Sequence, residues 1–259
     1  MLSLSHNPDY VGVMSQVTFD FRDSSVVITG GAGGIGAGIG ALFAGAGAGV
    51  AVWDRDPGAF PSGWEPAALL AADVTDEASL REAFAQTLDH LGSVDIVVSS
   101  AGITGPVGPL WEYDADDWRR VVDIDLTGAF LTAKTVVPHM RARGYGRIIT
   151  VASIAGKEAT TSLSAYTAAK HGVVGMTKVL AREVVKDGIT VNAIAPAMVK
   201  TELFSQLTEE FIDRTRALIP LARFLTVDEL AATVAWIASD QCGFTTGQTF
   251  DLSGGRADY

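Results

Sequence analysis

Seven short apolar runs punctuate the chain, most of them rich in β-branched residues. They are SVVIT (25–29), GVAVWD (49–54), ALLAADV (68–74), VDIVVSS (94–100), RIITVAS (147–153), ITVNAIA (189–195) and QTFDL (248–252). They stay apolar almost throughout instead of alternating, which is the pattern of strands covered on both faces. Between them, apolar positions recur at helical spacing over 34–46, 76–91, 115–143, 163–187, 208–218 and 227–239. Thr226 or Asp228 suits the cap of the last helix, and Gly188 suits a stop after EVVKD. Strand–helix alternation predicts one α/β domain built on a seven-stranded, parallel, doubly wound sheet with helices on both faces. No internal repeat and no domain-scale linker interrupts the pattern. Residues 1–23 fall outside it and read as an N-terminal extension, so the domain is expected over 24–259.

The first strand runs directly into TGGAGGIG (29–36), and a helix follows. A turn that tight needs positive φ or absent side chains, here at Gly30, Gly34 and Gly36, with Ile35 between. It lets backbone N–H groups at a helix start reach a pyrophosphate. The second strand ends in Asp54. A carboxylate there accepts hydrogen bonds from both hydroxyls of an adenine ribose and repels a 2′-phosphate, which favours NAD over NADP. Arg55 is the neighbouring residue that argues the other way. Gly38, Gly40, Gly45 and Gly47 need a separate account. Inside a helix each costs ~1 kcal/mol relative to alanine, so a locally soft helix is expected, with close helix–sheet packing requiring one of them.

Tyr166 and Lys170, in SAYTAAK (164–170), stand four apart and share one helix face. Oxidising an alcohol by hydride transfer requires a base for the hydroxyl proton, and the reverse requires an acid. A phenol is a poor base at neutral pH, since it titrates near ~10. An ammonium about 4 Å away stabilises phenolate by up to ~4 kcal/mol at an effective dielectric of 20, before desolvation opposes it.

Together these motifs resemble the short-chain dehydrogenases/reductases. TGGAGGIG fits their TGxxxGxG and YTAAK their YxxxK, and the likeness covers about 24 to 255. The resemblance implies a single Rossmann-type domain, bound NAD and a homotetramer. Asp73 and Val74 stand as the pair that touches adenine. Ala101 and Gly102, in SSAG (99–102), stand where NNAG is usual. NAIAPAMVKT (192–201) resembles the segment that holds the nicotinamide carboxamide, which assigns Pro196, Val199 and Thr201 to the cofactor. The resemblance gives Lys170 a second role on the nicotinamide ribose. It also makes Ser153, thirteen residues before Tyr166, the hydrogen-bond donor to the substrate oxygen.

One departure touches the chemistry. Asp125, in VVDIDLTGAF (121–130), occupies the position of an asparagine that holds a water in the family's proton relay. Ionised aspartate only accepts hydrogen bonds. It would stabilise the Lys170 ammonium and oppose phenolate at Tyr166. Activity is expected to survive with an altered pH profile. Around 198–219 the resemblance implies a mobile substrate lid. Lys157, just after Ser153, and Arg256, in the tail SGGRADY (253–259), are candidates for holding an anionic substrate. For Lys157 the competing reading is a solvated loop pair with Glu158.

Composition narrows the function further. The chain has 259 residues, 48% of them hydrophobic and 19% charged, with a net charge of -11. Such an acidic surface argues against nucleic-acid and membrane partners. Cys242 is the single cysteine, which fits a reducing cytoplasm, and the four histidines show no ligand spacing, so no metal is expected. The leading expectation is an NAD(H)-dependent oxidoreductase of a small secondary alcohol or ketone, with sugars, sugar acids and other polar hydroxy compounds preferred. The alternatives are a 3-oxoacyl-thioester reductase using NADPH, or a regulatory protein that binds NAD without turnover.

Overall fold

Every residue of β1 (Ser25–Thr29), β4 (Ile96–Ser99), β5 (Gly146–Val151) and β6 (Ile189–Pro196) is buried, which is why these segments do not alternate. With β2 (Gly49–Asp54), β3 (Ala68–Ala71) and β7 (Thr249–Leu252) they form one sheet of order β3-β2-β1-β4-β5-β6-β7. All six pairings are parallel. The computed structural model describes residues 17–57, 60, 63–200 and 209–259.

Two cores flank the sheet. On one face α1 (Gly34–Gly45) and α7 (Val227–Ala238) place Ile39, Phe43, Leu230 and Val234 on Val26, Ile28 and Val52. On the other, α2 (Glu77–Leu91), α4 (Gly128–Arg143) and α5 (Ser164–Val184) place Leu80, Val136, Met140 and Ala181 on Val27, Ala51 and Val97. Neighbouring strand residues therefore serve opposite cores. The first core also takes in part of the expected extension. The Phe21 N–H donates to the Ala46 carbonyl at 2.9 Å, and the Phe21 ring meets Phe43 edge-on at 4.8 Å.

Two expectations are corrected. The first concerns α1, where Gly36, Gly38 and Gly40 mark close packing, while Gly45 has open space around it. A Cβ on Gly36 would run into the Gly30 carbonyl and one on Gly38 into Val227; on Gly40 it would lie 2.5 Å from the Trp64 ring. The second concerns 115–143, which is not one helix. A π turn over Asp123–Thr127 separates α3 (Ala115–Val122) from α4. One extra residue in that turn changes which way Asp125 points.

The start of α7 carries a complete capping box. Thr226 is the cap, its hydroxyl accepting from the Glu229 N–H, and the Glu229 carboxylate accepts from the Thr226 N–H. The guanidinium of Arg223 beside Glu229, helped by the Thr226 bonds and opposed by desolvation, lowers its carboxyl to about 2. A depressed folded value means this contribution is present above the ordinary carboxylate range and lost as pH falls towards 2. Both side chains are about half exposed, so screening limits it. Glu229→Gln is expected to cost roughly 0.5–1 kcal/mol near neutral pH, about 1–4 °C in Tm, with the gap closing on acidification. Thermal melts across pH measure it, and coincident curves at neutral pH would remove the box from the stability account.

The chain leaves β1 for β2 on one side, and β4 lies on the other. At such a switch point the loops beyond the strands' carboxyl ends diverge and leave a crevice.

Candidate active site

A cavity of about 1490 Å³ fills that crevice. Its wall gathers residues from the ends of six strands: Gly30, Gly34, Ile35 and Gly36 after β1, Asp54 closing β2, and Asp73 and Val74 after β3. Ala101 and Gly102 follow β4, Ser153 follows β5, and Pro196 closes β6 with Val199 just beyond. Asp125, Tyr166, Lys170 and Arg256 complete the set. Of the residues expected at the site, Thr201 lies outside the described residues.

At the glycine end the backbone is drawn close. Gly30 sits at φ +65°, and a Cβ there would lie 2.7 Å from the Ala101 Cα, so no side chain fits. The Thr29 hydroxyl accepts the N–H groups of Ser100 and Ala101 at 3.1 and 3.3 Å and ties the two loops together. Helix α1 begins with no side-chain cap and no acidic residue in its first turn. Its N-terminal dipole end suits an anion. Asp54 accepts the Ala32 N–H at 3.0 Å through one oxygen and the Asp56 N–H at 3.1 Å through the other. It braces the glycine loop, a role its position in the sequence did not announce. A carboxylate keeps further acceptor sites for two ribose hydroxyls. Hydrogen bonds from the Thr75 hydroxyl and N–H hold Asp73 below the usual carboxylate range against desolvation. An uncapped helix start, a side-chain-free turn and a carboxylate opposite together fit a dinucleotide without a 2′-phosphate.

The other end of the cavity stands on β5 and α5. The Ser153 hydroxyl caps the short turn Ile154–Gly156 by accepting the Ala155 N–H at 3.1 Å, and its own O–H remains a donor. Tyr166 lies in the first turn of α5 and Lys170 one turn further on. The Lys170 ammonium is buried, donates to the Val151 carbonyl at 3.0 Å, and lies 5.5 Å from the centre of the Tyr166 ring. It also lies 3.2 Å from the second carboxylate oxygen of Asp125. The first oxygen of Asp125 accepts the Ile103 N–H at 2.8 Å. Asp125 is 1% exposed, and burial pushes its carboxyl above the usual range although Lys170 and the Ile103 N–H pull it down. Gly102 makes room for this pair, since a Cβ there would lie 3.0 Å from Asp125 and 3.3 Å from the ammonium. Val151 and Ile103 act through their backbones, which leave no residue-type signal.

Beyond Ser153 the outcome for the two candidate cations differs. Lys157 is neither a cavity residue nor a solvated loop residue. It is 8% exposed, its ammonium bonds Asp251 at 2.9 Å, and the Tyr259 ring covers it at 5.4 Å. Arg256 does line the cavity, and its guanidinium bonds Glu158. Helix α6 (Glu209–Ala217) adds Arg214 and Thr215, with Leu218 just after it. Arg214 went unnoticed in the sequence because its helix is polar on most of its surface.

Comparison with known proteins agrees with this geometry. A family model described as enoyl-(acyl carrier protein) reductase matches residues 30–257. The 2-dehydro-3-deoxy-L-rhamnonate dehydrogenase (NAD(+)) of Sphingomonas sp. (strain SKA58) is 42% identical over 95% of this chain and 100% of its own. The cis-4-hydroxycyclohexanecarboxylate dehydrogenase of Sinomonas cyclohexanicum is 37% identical over 91% and 97%. The 3-ketoacyl-(acyl-carrier-protein) reductase of Brucella melitensis, solved with NADH, superposes with TM-score 0.85 at 31% identity over 92% and 99%. With its glycine turn, its switch-point cavity and the Ser153–Tyr166–Lys170 set, the chain belongs to the short-chain dehydrogenase/reductase family of oxidoreductases.

Proposed function

We propose that the protein is an NAD-dependent dehydrogenase that oxidises a secondary alcohol on a small hydroxy carboxylic acid, of the sugar-acid or cyclic kind. The observation that carries this is one cavity holding Ser153, Tyr166 and Lys170 together with the Asp54 carboxylate and the guanidinium groups of Arg214 and Arg256. The names of both relatives above contain a carboxylate, which supports an acid as substrate. NAD, when bound, supplies the hydride acceptor. The glycine loop and the start of α1 hold its pyrophosphate, and Asp54 its adenine ribose. Asp73, Val74, Ala101, Gly102, Pro196 and Val199 would line its path to the nicotinamide. Ser153 donates to the substrate oxygen, and Tyr166 as phenolate takes the hydroxyl proton. The ammonium of Lys170 stabilises that phenolate, and Asp125 with the Val151 carbonyl holds the ammonium in place.

The test is NADH formation followed by absorbance across aldonates, deoxy-sugar acids, cyclic hydroxy acids, plain alcohols and 3-hydroxyacyl thioesters. Turnover confined to hydroxy acids supports the proposal. Preference for thioesters would transfer it to 3-oxoacyl-thioester reduction, the activity named for the Brucella melitensis structure. Asp54→Ala is expected to reduce the NAD-to-NADP ratio of kcat/KM by roughly 5- to 30-fold, since one unfavourable carboxylate–phosphate contact is worth roughly 1–2 kcal/mol. An unchanged ratio would take Asp54 out of cofactor selection. The same proposal makes the enzyme a cytoplasmic homotetramer. Exposed apolar side chains on α4 and α5, Phe130 and Val179, support association, and light scattering after gel filtration measures it.

A further inference from the structure

We propose that Arg256 binds the carboxylate of the substrate, and that Glu158 holds its guanidinium on the cavity wall until an acid arrives. This deepens the hydroxy-acid reading and rests on it.

The cavity's cations divide by place. Arg55 adjoins Asp54, where β2 ends, and Lys170 stands between Asp125 and Tyr166. Arg256 is different, because its partner Glu158 follows Ser153 by only five residues on the same loop. The Glu158 N–H donates to the Ile154 carbonyl at 3.0 Å, so the loop that caps onto Ser153 also presents Glu158. Arg256 therefore lies on the substrate side of the catalytic serine.

Its backbone is fixed in advance. The Ser253 hydroxyl accepts the N–H groups of Arg256 and Ala257 at 3.1 and 3.0 Å. Ser253 in turn donates to Asp251 through its N–H at 2.9 Å and its hydroxyl at 2.6 Å. Asp251 is bonded by the buried Lys157 ammonium, and the Tyr259 hydroxyl donates to the Lys157 carbonyl. The tail 253–259 is thus fastened to the loop 153–158 on both sides of Arg256. Lys157, bonded to Asp251, does not line the cavity, whereas Arg256 does. A guanidinium offers a planar fork that matches a carboxylate, and fixing it beforehand removes much of the entropy cost of binding.

Glu158 then acts as a stand-in for the ligand. An uncharged alcohol offers Arg256 no carboxylate, and the Arg256–Glu158 pair stays closed. An acid can take the guanidinium because it brings the same group, while Glu158, about a third exposed, has water available when it lets go. Arg214 on α6 lines the same cavity.

The experiment compares an acid with its own neutral amide: cis-4-hydroxycyclohexanecarboxylate against the carboxamide, and an aldonate against the aldonamide. The readout is the acid-to-amide ratio of kcat/KM. Arg256→Met is expected to lower that ratio roughly 10- to 100-fold, mainly through KM, since one charge-assisted hydrogen-bond pair is at stake. Arg256→Lys should recover part of it. Glu158→Gln should leave the ratio at or above wild type, because the competing carboxylate is gone. A second readout needs no turnover: the change in fluorescence of bound NADH when cyclohexanecarboxylate is added, whose half-saturation should shift to higher acid concentration in Arg256→Met. If acid and amide suffer alike in Arg256→Met, or Glu158→Gln lowers the ratio as much, the pair is structural and the proposal is overturned, with the hydroxy-acid reading intact. If the wild type prefers the amides or oxidises neither, both fall.

Discussion

Replacing Tyr166 with phenylalanine is expected to lower kcat for alcohol oxidation by roughly 10²- to 10⁴-fold, the range for losing a positioned acid–base group. The substitution removes one oxygen from the first turn of α5 and leaves the ring in place. The Lys170 ammonium keeps the Val151 carbonyl and Asp125 as partners, so the local structure has no reason to collapse. NADH binding, read by fluorescence, should therefore survive within a few-fold. Steady-state turnover and a binding titration on the same preparation make the check. A variant within tenfold of wild type would remove Tyr166 from the proton step. Loss of binding along with turnover would point to a damaged fold.

Asp125→Asn is expected to move the acid limb of kcat/KM for oxidation to lower pH by about one unit. In the wild type, ionised Asp125 shares the ammonium with Tyr166 and works against the phenolate. That charge lies 3.2 Å from the ammonium, which is 5.5 Å from the Tyr166 ring centre, and part of its effect is screened. Asparagine removes that charge. It also has one acceptor oxygen where two donors, the Ile103 N–H and the Lys170 ammonium, now meet two carboxylate oxygens. If the amide keeps Ile103, its NH₂ faces the ammonium, and Tm should fall. The variant is thus predicted to be more active at low pH and less stable. The sign for stability in the wild type follows from the raised carboxyl of Asp125. That raised value favours the folded state at low pH, and the contribution is lost as pH rises through it. A pH–rate profile identical to wild type would mean that Asp125 does not act on Tyr166 electrostatically.

The central strands were readable because doubly covered strands must be apolar throughout, whereas the edge strand β3 alternates buried and exposed. The glycine turn, Asp54, and the Tyr166–Lys170 pair were readable because their chemistry fixes both residue type and spacing. Three features were not. The π turn at Asp123–Thr127 adds a single residue to a helical period, and a 29-residue window absorbs that without trace. The fate of Lys157 was decided by Asp251, 94 residues away, which local sequence does not see. The glycines of α1 looked like weak helix because a sequence shows the absent side chain but not the neighbour that fills its place.

That last feature bears on how the protein is made. Five of the twelve residues of α1 are glycine, so the segment has little tendency to be helical on its own. Its stability comes from Val227 and the rest of α7 lying against Gly38. A chain emerging from the ribosome displays the nucleotide loop early and the helix that secures it almost two hundred residues later. The helix that carries the cofactor loop therefore gains its contact with α7 only when synthesis is nearly complete.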